Sequence, residues 1–179
     1  MTENLPTSED YQHIKEKLID YLSRQGFSER KLLQKVTDLK KNYPRTKRYL
    51  FYTAQNVQKV IDELKKDGYI NDRKYAKDVL RQLKDRKDGI QRIRQKMYTR
   101  LIPSKIINEI LGEWQEMGLK QDYTFIIRDA KRKYERLCEK FPSKKDKYTI
   151  KTKLYAFLAQ KGYGPDEIKK IINKVQVIN

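Results

Sequence analysis

Phe157-Leu-Ala-Gln-Lys-Gly-Tyr-Gly-Pro-Asp-Glu-Ile-Lys-Lys-Ile-Ile172 decides the fold, because the chain writes this phrase more than once. Tyr21-Leu-Ser-Arg-Gln-Gly-Phe-Ser-Glu-Arg-Lys-Leu-Leu-Gln-Lys-Val36 follows the same rhythm. A fainter copy runs from Met97 to Leu111. With Ile102 set under Tyr163, residues Ile93, Met97, Ile107, Ile110 and Leu111 fall under Leu154, Leu158, Ile168, Ile171 and Ile172. Each copy reads as a helix, a short turn carrying one large apolar residue, and a second helix. A unit this small cannot bury its apolar face alone, so the self-similarity points to helical units stacked in series.

Apolar spacing at i, i+3, i+4 and i+7 extends the reading to nine helical patterns. They carry, in order, Ile14, Leu18 and Leu22; Leu32, Val36 and Leu39; Val57, Ile61 and Leu64; Tyr75, Val79 and Leu83; Ile90, Ile93 and Met97; Ile106, Ile110 and Trp114; Ile126, Ala130 and Leu137; Ile150, Leu154 and Leu158; and Ile168, Ile172 and Val175. Gly68 suits a left-handed helix end, Asn71-Asp72 and Asp122 suit helix starts, and Pro103 and Pro165 suit first turns. No segment alternates long enough to make a strand. The predicted fold is all-α, with three tandem three-helix repeats forming an elongated, curved, helix-turn-helix-like array. The units span 9–68, 71–118 and 122–176, the first interrupted by a basic, aromatic insertion near 43–53.

The chain has 179 residues, 37% hydrophobic and 37% charged, with a formal net charge of +18. No run approaches the ~18 apolar residues of a membrane span, and the polar start Met-Thr-Glu-Asn lacks a signal peptide's core. Cys138 is alone, which gives no disulfide framework and places the chain in a reducing cytoplasm. A lone His13, no glycine-rich phosphate loop and no zinc-spaced cluster argue against catalysis, a metal or another cofactor. Tyr75, Tyr134, Tyr155 and Tyr163 fall on apolar positions and read as core.

Residues 1–70 carry 14 basic and 10 acidic side chains, residues 71–120 carry 13 and 7, and residues 121–179 carry 15 and 7. Such a field attracts polyanions. The seventh pattern aligns Arg128, Arg132, Arg136 and Lys140 at i+4 steps, the fifth aligns Arg92, Lys96 and Arg100, and the fourth aligns Lys77 and Arg81. These rows are the candidate surface for a partner or for DNA. Asp129, Glu135 and Glu139 offer a blander account, in which neighbours neutralise the row on a solvated face. Tyr43-Pro-Arg-Thr-Lys-Arg-Tyr-Leu-Phe-Tyr52 interleaves rings with cations, a combination able to stack on unpaired bases. The usual burial of aromatics favours instead packing of Tyr49 to Tyr52 into the first unit, cations outward. The residues alone also allow a stand-alone DNA-binding protein of helix-turn-helix type, reading a groove with its fifth or ninth helix.

Five phrases in order resemble the RecX family of recombination regulators. They are Leu64-Lys-Lys-Asp-Gly-Tyr-Ile-Asn-Asp-Arg-Lys-Tyr-Ala76, Gly89-Ile-Gln-Arg-Ile-Arg-Gln-Lys-Met97, the aliphatic helix from Ile106 to Leu111, Ala130-Lys-Arg-Lys-Tyr134, and Leu158-Ala-Gln-Lys-Gly-Tyr-Gly-Pro-Asp-Glu-Ile168. One departure stands out. Leu101 precedes Ile102 where the family commonly has glycine, so that turn is expected to be tighter or differently angled. The resemblance implies a monomeric, non-enzymatic protein of DNA recombination, repair and the SOS response. It would bind the RecA recombinase filament on single-stranded DNA, contact that DNA directly or not, and inhibit ATP hydrolysis and strand exchange or promote disassembly.

Overall fold

Caps written into the sequence set where the helices begin. At the first, the Thr7 side chain accepts from the Asp10 backbone N–H, and the Asp10 carboxylate accepts from the Thr7 N–H at 2.8 Å. This reciprocal capping box satisfies two donors that a helix start otherwise leaves open. Ser28, Thr53 and Asn71 each accept from the backbone N–H three residues on. At the last helix, Pro165 takes the first position and the Glu167 carboxylate accepts from the Gly164 N–H at 2.8 Å. The expected Asp122 cap lies outside the described residues.

The computed structural model describes residues 6–85, 88–116, 123–143 and 146–177, and every regular element among them is helical. In order they are α1 (Ser8–Arg24), α2 (Glu29–Asn42), a 3-10 turn (Lys47–Tyr49), α3 (Ala54–Lys66), α4 (Asp72–Asp85), α5 (Ile90–Thr99), α6 (Ser104–Glu116), α7 (Thr124–Lys140), α8 (Lys147–Gln160) and α9 (Pro165–Val177). The nine periodic patterns all become helices.

Three helix ends close in the same way. Gly68, Leu101 and Gly162 adopt φ of 79°, 56° and 89°. Their N–H groups donate to Lys65, Tyr98 and Ala159, while the next residues, Tyr69, Ile102 and Tyr163, reach back to Leu64, Met97 and Leu158. This paired closure satisfies orphan carbonyls and turns the chain. The turn at Leu101 is therefore not differently angled, as its missing glycine suggested. Leucine adopts the glycine conformation, at a cost of about 1–2 kcal/mol. The copy at Gly26 does differ, since Gln25 leaves α1 in an extended conformation. A Cβ on Gly26 would stand 2.8 Å from the Tyr75 ring, so close packing is what its absent side chain permits.

The chain divides into two units, Met1–Asp78 with Met97–Asn108, and Val79–Lys96 with Glu109–Asn179. In the first, α1, α2 and α3 pack mutually around Ile14, Leu18, Leu32, Val36, Ile61 and Leu64. In the second, α7, α8 and α9 do so around Ile126, Ala130, Leu137, Leu154, Leu158 and Ile172. Buried residues of α4 to α6, among them Val79, Leu83, Ile93, Met97, Ile107 and Leu111, fall to both units along the chain.

Within the second unit, the start of α5 sits directly on the turn after α8. Gly89 N–H donates to Lys161 carbonyl at 2.8 Å, and Gln91 N–H donates to Gly162 carbonyl at 3.1 Å. Unsatisfied donors of one helix start thus meet unsatisfied acceptors of another helix end, with favourable dipoles. A Cβ on Gly89 would stand 2.3 Å from Gly162 O, and one on Gly162 would stand 2.3 Å from Arg92 Cβ. Neither glycine tolerates a methyl group.

Gly162→Ala is expected to cost on the order of 3 kcal/mol, from a strained left-handed backbone and an overlap that only main-chain movement relieves. Gly112→Ala, inside α6 with nothing within 4 Å of its Cβ position, should gain roughly 0.5–1 kcal/mol. Urea denaturation of both variants checks the pair. An unchanged midpoint for Gly162→Ala would show that the turn can yield.

Candidate partner and nucleic-acid interface

The longest row of candidate cations stands on a helix held from behind by two others. α7 turns Ile126, Ala130 and Leu137 into the core against α8 and α9. At its start the Tyr123 hydroxyl donates to the Glu167 carboxylate at 2.8 Å. Burial chiefly, with that carboxylate beside it, pushes the Tyr123 phenol up to about 12. The same Glu167 caps α9, so one side chain ties the first turns of α7 and α9 together.

Arg128, Arg132, Arg136 and Lys140 are all exposed on α7. Steps of four residues advance the row about 6 Å along the axis and rotate it about 40°, so it winds gently over some 18 Å. The Arg128 guanidinium lies 5.3 Å from the Phe125 ring centre, and Lys140 Nζ lies 5.8 Å from that of Phe141. Arg132 and Arg136 hold no ion pair or hydrogen bond among the described residues. Asp129, Glu135 and Glu139 form none with the row either, so the neutralisation that the sequence allowed is not made. α7 presents open cations on a stiff support.

The other candidates are placed differently. Asp88 is only 6% exposed, and its carboxylate receives both Arg92 Nε at 3.3 Å and Lys96 Nζ. Arg92 also donates from Nη1 to the Gln160 carbonyl at 3.1 Å. Two cations of the Arg92–Lys96–Arg100 row are thus engaged in holding a buried carboxylate and the α8 end. Arg100 offers its carbonyl to Ser28 Oγ at 2.6 Å, and its side chain bonds the Tyr75 phenol, whose proton affinity burial raises. Lys77 and Arg81 are exposed on α4 and already engage other residues.

Sequence spacing alone missed Asp88, Ser28 and Asp72. Asp72 accepts the Glu29 N–H at 2.8 Å across 43 residues, and burial raises its carboxyl. The signal for Asp88 was present in the i+4 and i+8 spacing from Asp88 to Arg92 and Lys96. Among the described residues no cluster of His, Cys, Asp and Glu could hold a metal, and no helix is long and apolar enough to cross a membrane.

Comparison with known proteins places this surface in context. Residues 130–172, from mid-α7 into α9, match the family described as RecX, third three-helix domain. A regulatory protein RecX of Clostridioides difficile is 29% identical over 93% of this chain and 70% of its own length. One from Clostridium beijerinckii is 33% identical over 72% of this chain and 57% of its own length. The crystal structure of RecX from Lactobacillus salivarius superposes with a TM-score of 0.69 at 18% identity, covering 96% of this chain and 99% of that one. A second crystal structure of a regulatory protein RecX gives 0.65 at 18% identity, over 92% of this chain and 72% of that one. The all-helical fold and the three-helix units agree with these structures.

The two classes of cation should separate in a thermal-stability experiment. Lys96→Ala takes one of two cationic partners from the buried Asp88 carboxylate and is expected to cost about 2 kcal/mol. Arg132→Ala and Arg136→Ala should stay within about 0.5 kcal/mol of the parent. A loss for the α7 variants equal to that of Lys96→Ala would mean the row is structural.

Proposed function

The chain belongs to the RecX family, and we propose that it is a non-enzymatic regulator of recombination and DNA repair that binds the RecA filament on single-stranded DNA. It would lower the filament's ATP hydrolysis and strand exchange, or favour its disassembly, acting as a cytoplasmic monomer of three tandem units, 9–68, 71–118 and 122–176. The observation that carries this reading is the α7 row: exposed cations on a core-locked helix, of which Arg132, Arg136 and Lys140 fall within the part of the chain similar to the third RecX domain. A nucleoprotein filament offers a repeating negative groove, from phosphates or from carboxylates. Several modest patches on one chain then bind with a high effective concentration for each successive contact.

Stand-alone helix-turn-helix readout has less support. A recognition helix contacts bases through its first turns, yet α9 begins with Asp166 and Glu167, which repel phosphates.

The test is titration into the cognate RecA on single-stranded DNA, following ATP turnover. Reversing Arg128, Arg132 and Arg136 together to Glu should weaken inhibition by more than about tenfold, at unchanged melting temperature. If all four row cations meet phosphates of a single strand, raising salt from about 50 to about 200 mM should weaken binding roughly 50-fold. Full potency in the triple variant, or inhibition indifferent to salt, removes the row from the site.

A further inference from the structure

The insertion between α2 and α3 carries a second surface, on the first unit. From Leu39 to Ile61 the chain has six basic side chains and no acidic one. Within it, residues 41–48 are all exposed. Lys41 pairs with Asp38 at 3.7 Å and Arg48 with Glu16 at 3.6 Å, whereas Arg45 and Lys47 hold no ion pair among the described residues.

The rings of this segment form a ladder. The Tyr43 ring stands 6.0 Å from that of Tyr49, which stands 5.0 Å from that of Tyr52. Tyr52 is buried, and its hydroxyl donates to the His13 carbonyl at 3.1 Å. The packing that ordinary burial favours for Tyr49 to Tyr52 therefore holds for the two tyrosine rings, while Leu50 departs from it and is exposed. Tyr43, outside that expectation, is 55% exposed. The backbone there is fixed as well: Tyr43 N–H closes α2 on Leu39 at 2.9 Å, and its carbonyl accepts from Thr46 at 3.1 Å across a turn with Pro44 in second place. An exposed ring anchored to the core loses little freedom when a ligand covers it.

We propose that Tyr43, with Arg45 and Lys47, binds single-stranded nucleic acid, the ring stacking on an unpaired base and the two cations meeting the phosphates beside it. This stands apart from regulation of the recombinase and needs no recombinase present. An acidic protein would satisfy the cations and leave the ring without a role. A duplex keeps its bases stacked on each other and out of the ring's reach.

Fluorescence anisotropy on the full chain, with labelled oligothymidylate or oligouridylate of about 20 nucleotides and a matching duplex, tests it. Tyr43→Ala should weaken binding to a single strand by about tenfold without moving the melting temperature, and Tyr43→Phe should keep most of it. Replacing Arg45 and Lys47 by Gln should reduce the slope of log affinity against log salt by about 1.4. Whichever of the two oligonucleotides shows the Tyr43 effect identifies the strand as DNA or RNA. The inference is overturned if Tyr43→Ala binds both like the parent, if the duplex is equally sensitive to Tyr43, or if polyglutamate displaces the oligonucleotide as readily as unlabelled oligothymidylate does.

Discussion

The second unit depends on a place where two backbones touch with no side chain between them. Gly89 and Gly162 let the donor end of α5 meet the acceptor end of α8, through bonds of 2.8 and 3.1 Å. With even a methyl group at either position, the first atoms displaced are main-chain atoms or the Arg92 Cβ, none of which can rotate aside. Much that surrounds the contact follows from it. Arg92 lies where its guanidinium reaches both Gln160 and Asp88, and Lys96, one turn on, completes the neutralisation of Asp88. A carboxylate this buried persists only when paired. Two cations that resemble free surface charges in the sequence thus hold a buried carboxylate, positioned by two glycines 73 residues apart in the chain.

How much was legible follows the same physics. Helix existence was read correctly throughout, because the 3.6-residue period of apolar side chains reports burial directly. The apolar partners laid over each other by the repeat, Met97 with Leu158 and Ile102 with Tyr163, occupy equivalent places in two closures with matching hydrogen bonds. What the letters concealed was backbone conformation. Leu101 adopts the left-handed turn that glycine normally marks, while Gly26, in the most obvious echo, belongs to a chain end that leaves its helix extended. Residue type biases φ by 1–2 kcal/mol, and packing around the next large apolar residue can outweigh that. A repeat preserves the positions that are buried more faithfully than the residues that make the turns.

The charge pattern was legible in part, for a related reason. An i+4 row says that cations share a face, and says nothing of what stands opposite. On α7 that face is open, with Arg132 and Arg136 unpaired among the described residues. On α5 the same spacing meets Asp88, and the row is drawn inward. The deciding residue precedes the helix, where periodicity does not look. The aromatic insertion behaved likewise, since rings at Tyr49 and Tyr52 pack and stack as burial prescribes, while Leu50 and Tyr43 stay exposed.

A net charge of +18 sets a long-range field, yet field strength does not say where a polyanion rests. Engaged cations contribute to attraction at a distance but resist rearrangement on contact, because releasing Arg92 or Lys96 would take one of its partners from the buried Asp88 carboxylate. Open cations pay no such penalty, and those on α7 sit on a helix whose other face is fixed by the three-helix core. Long-range attraction is therefore shared by the whole chain, while close contact falls to cations that no buried carboxylate holds. By that reasoning, salt should act on encounter through every charge, but on the bound state through cations such as those of the α7 row and the Arg45–Lys47 turn, where supported structure and unopposed charge coincide.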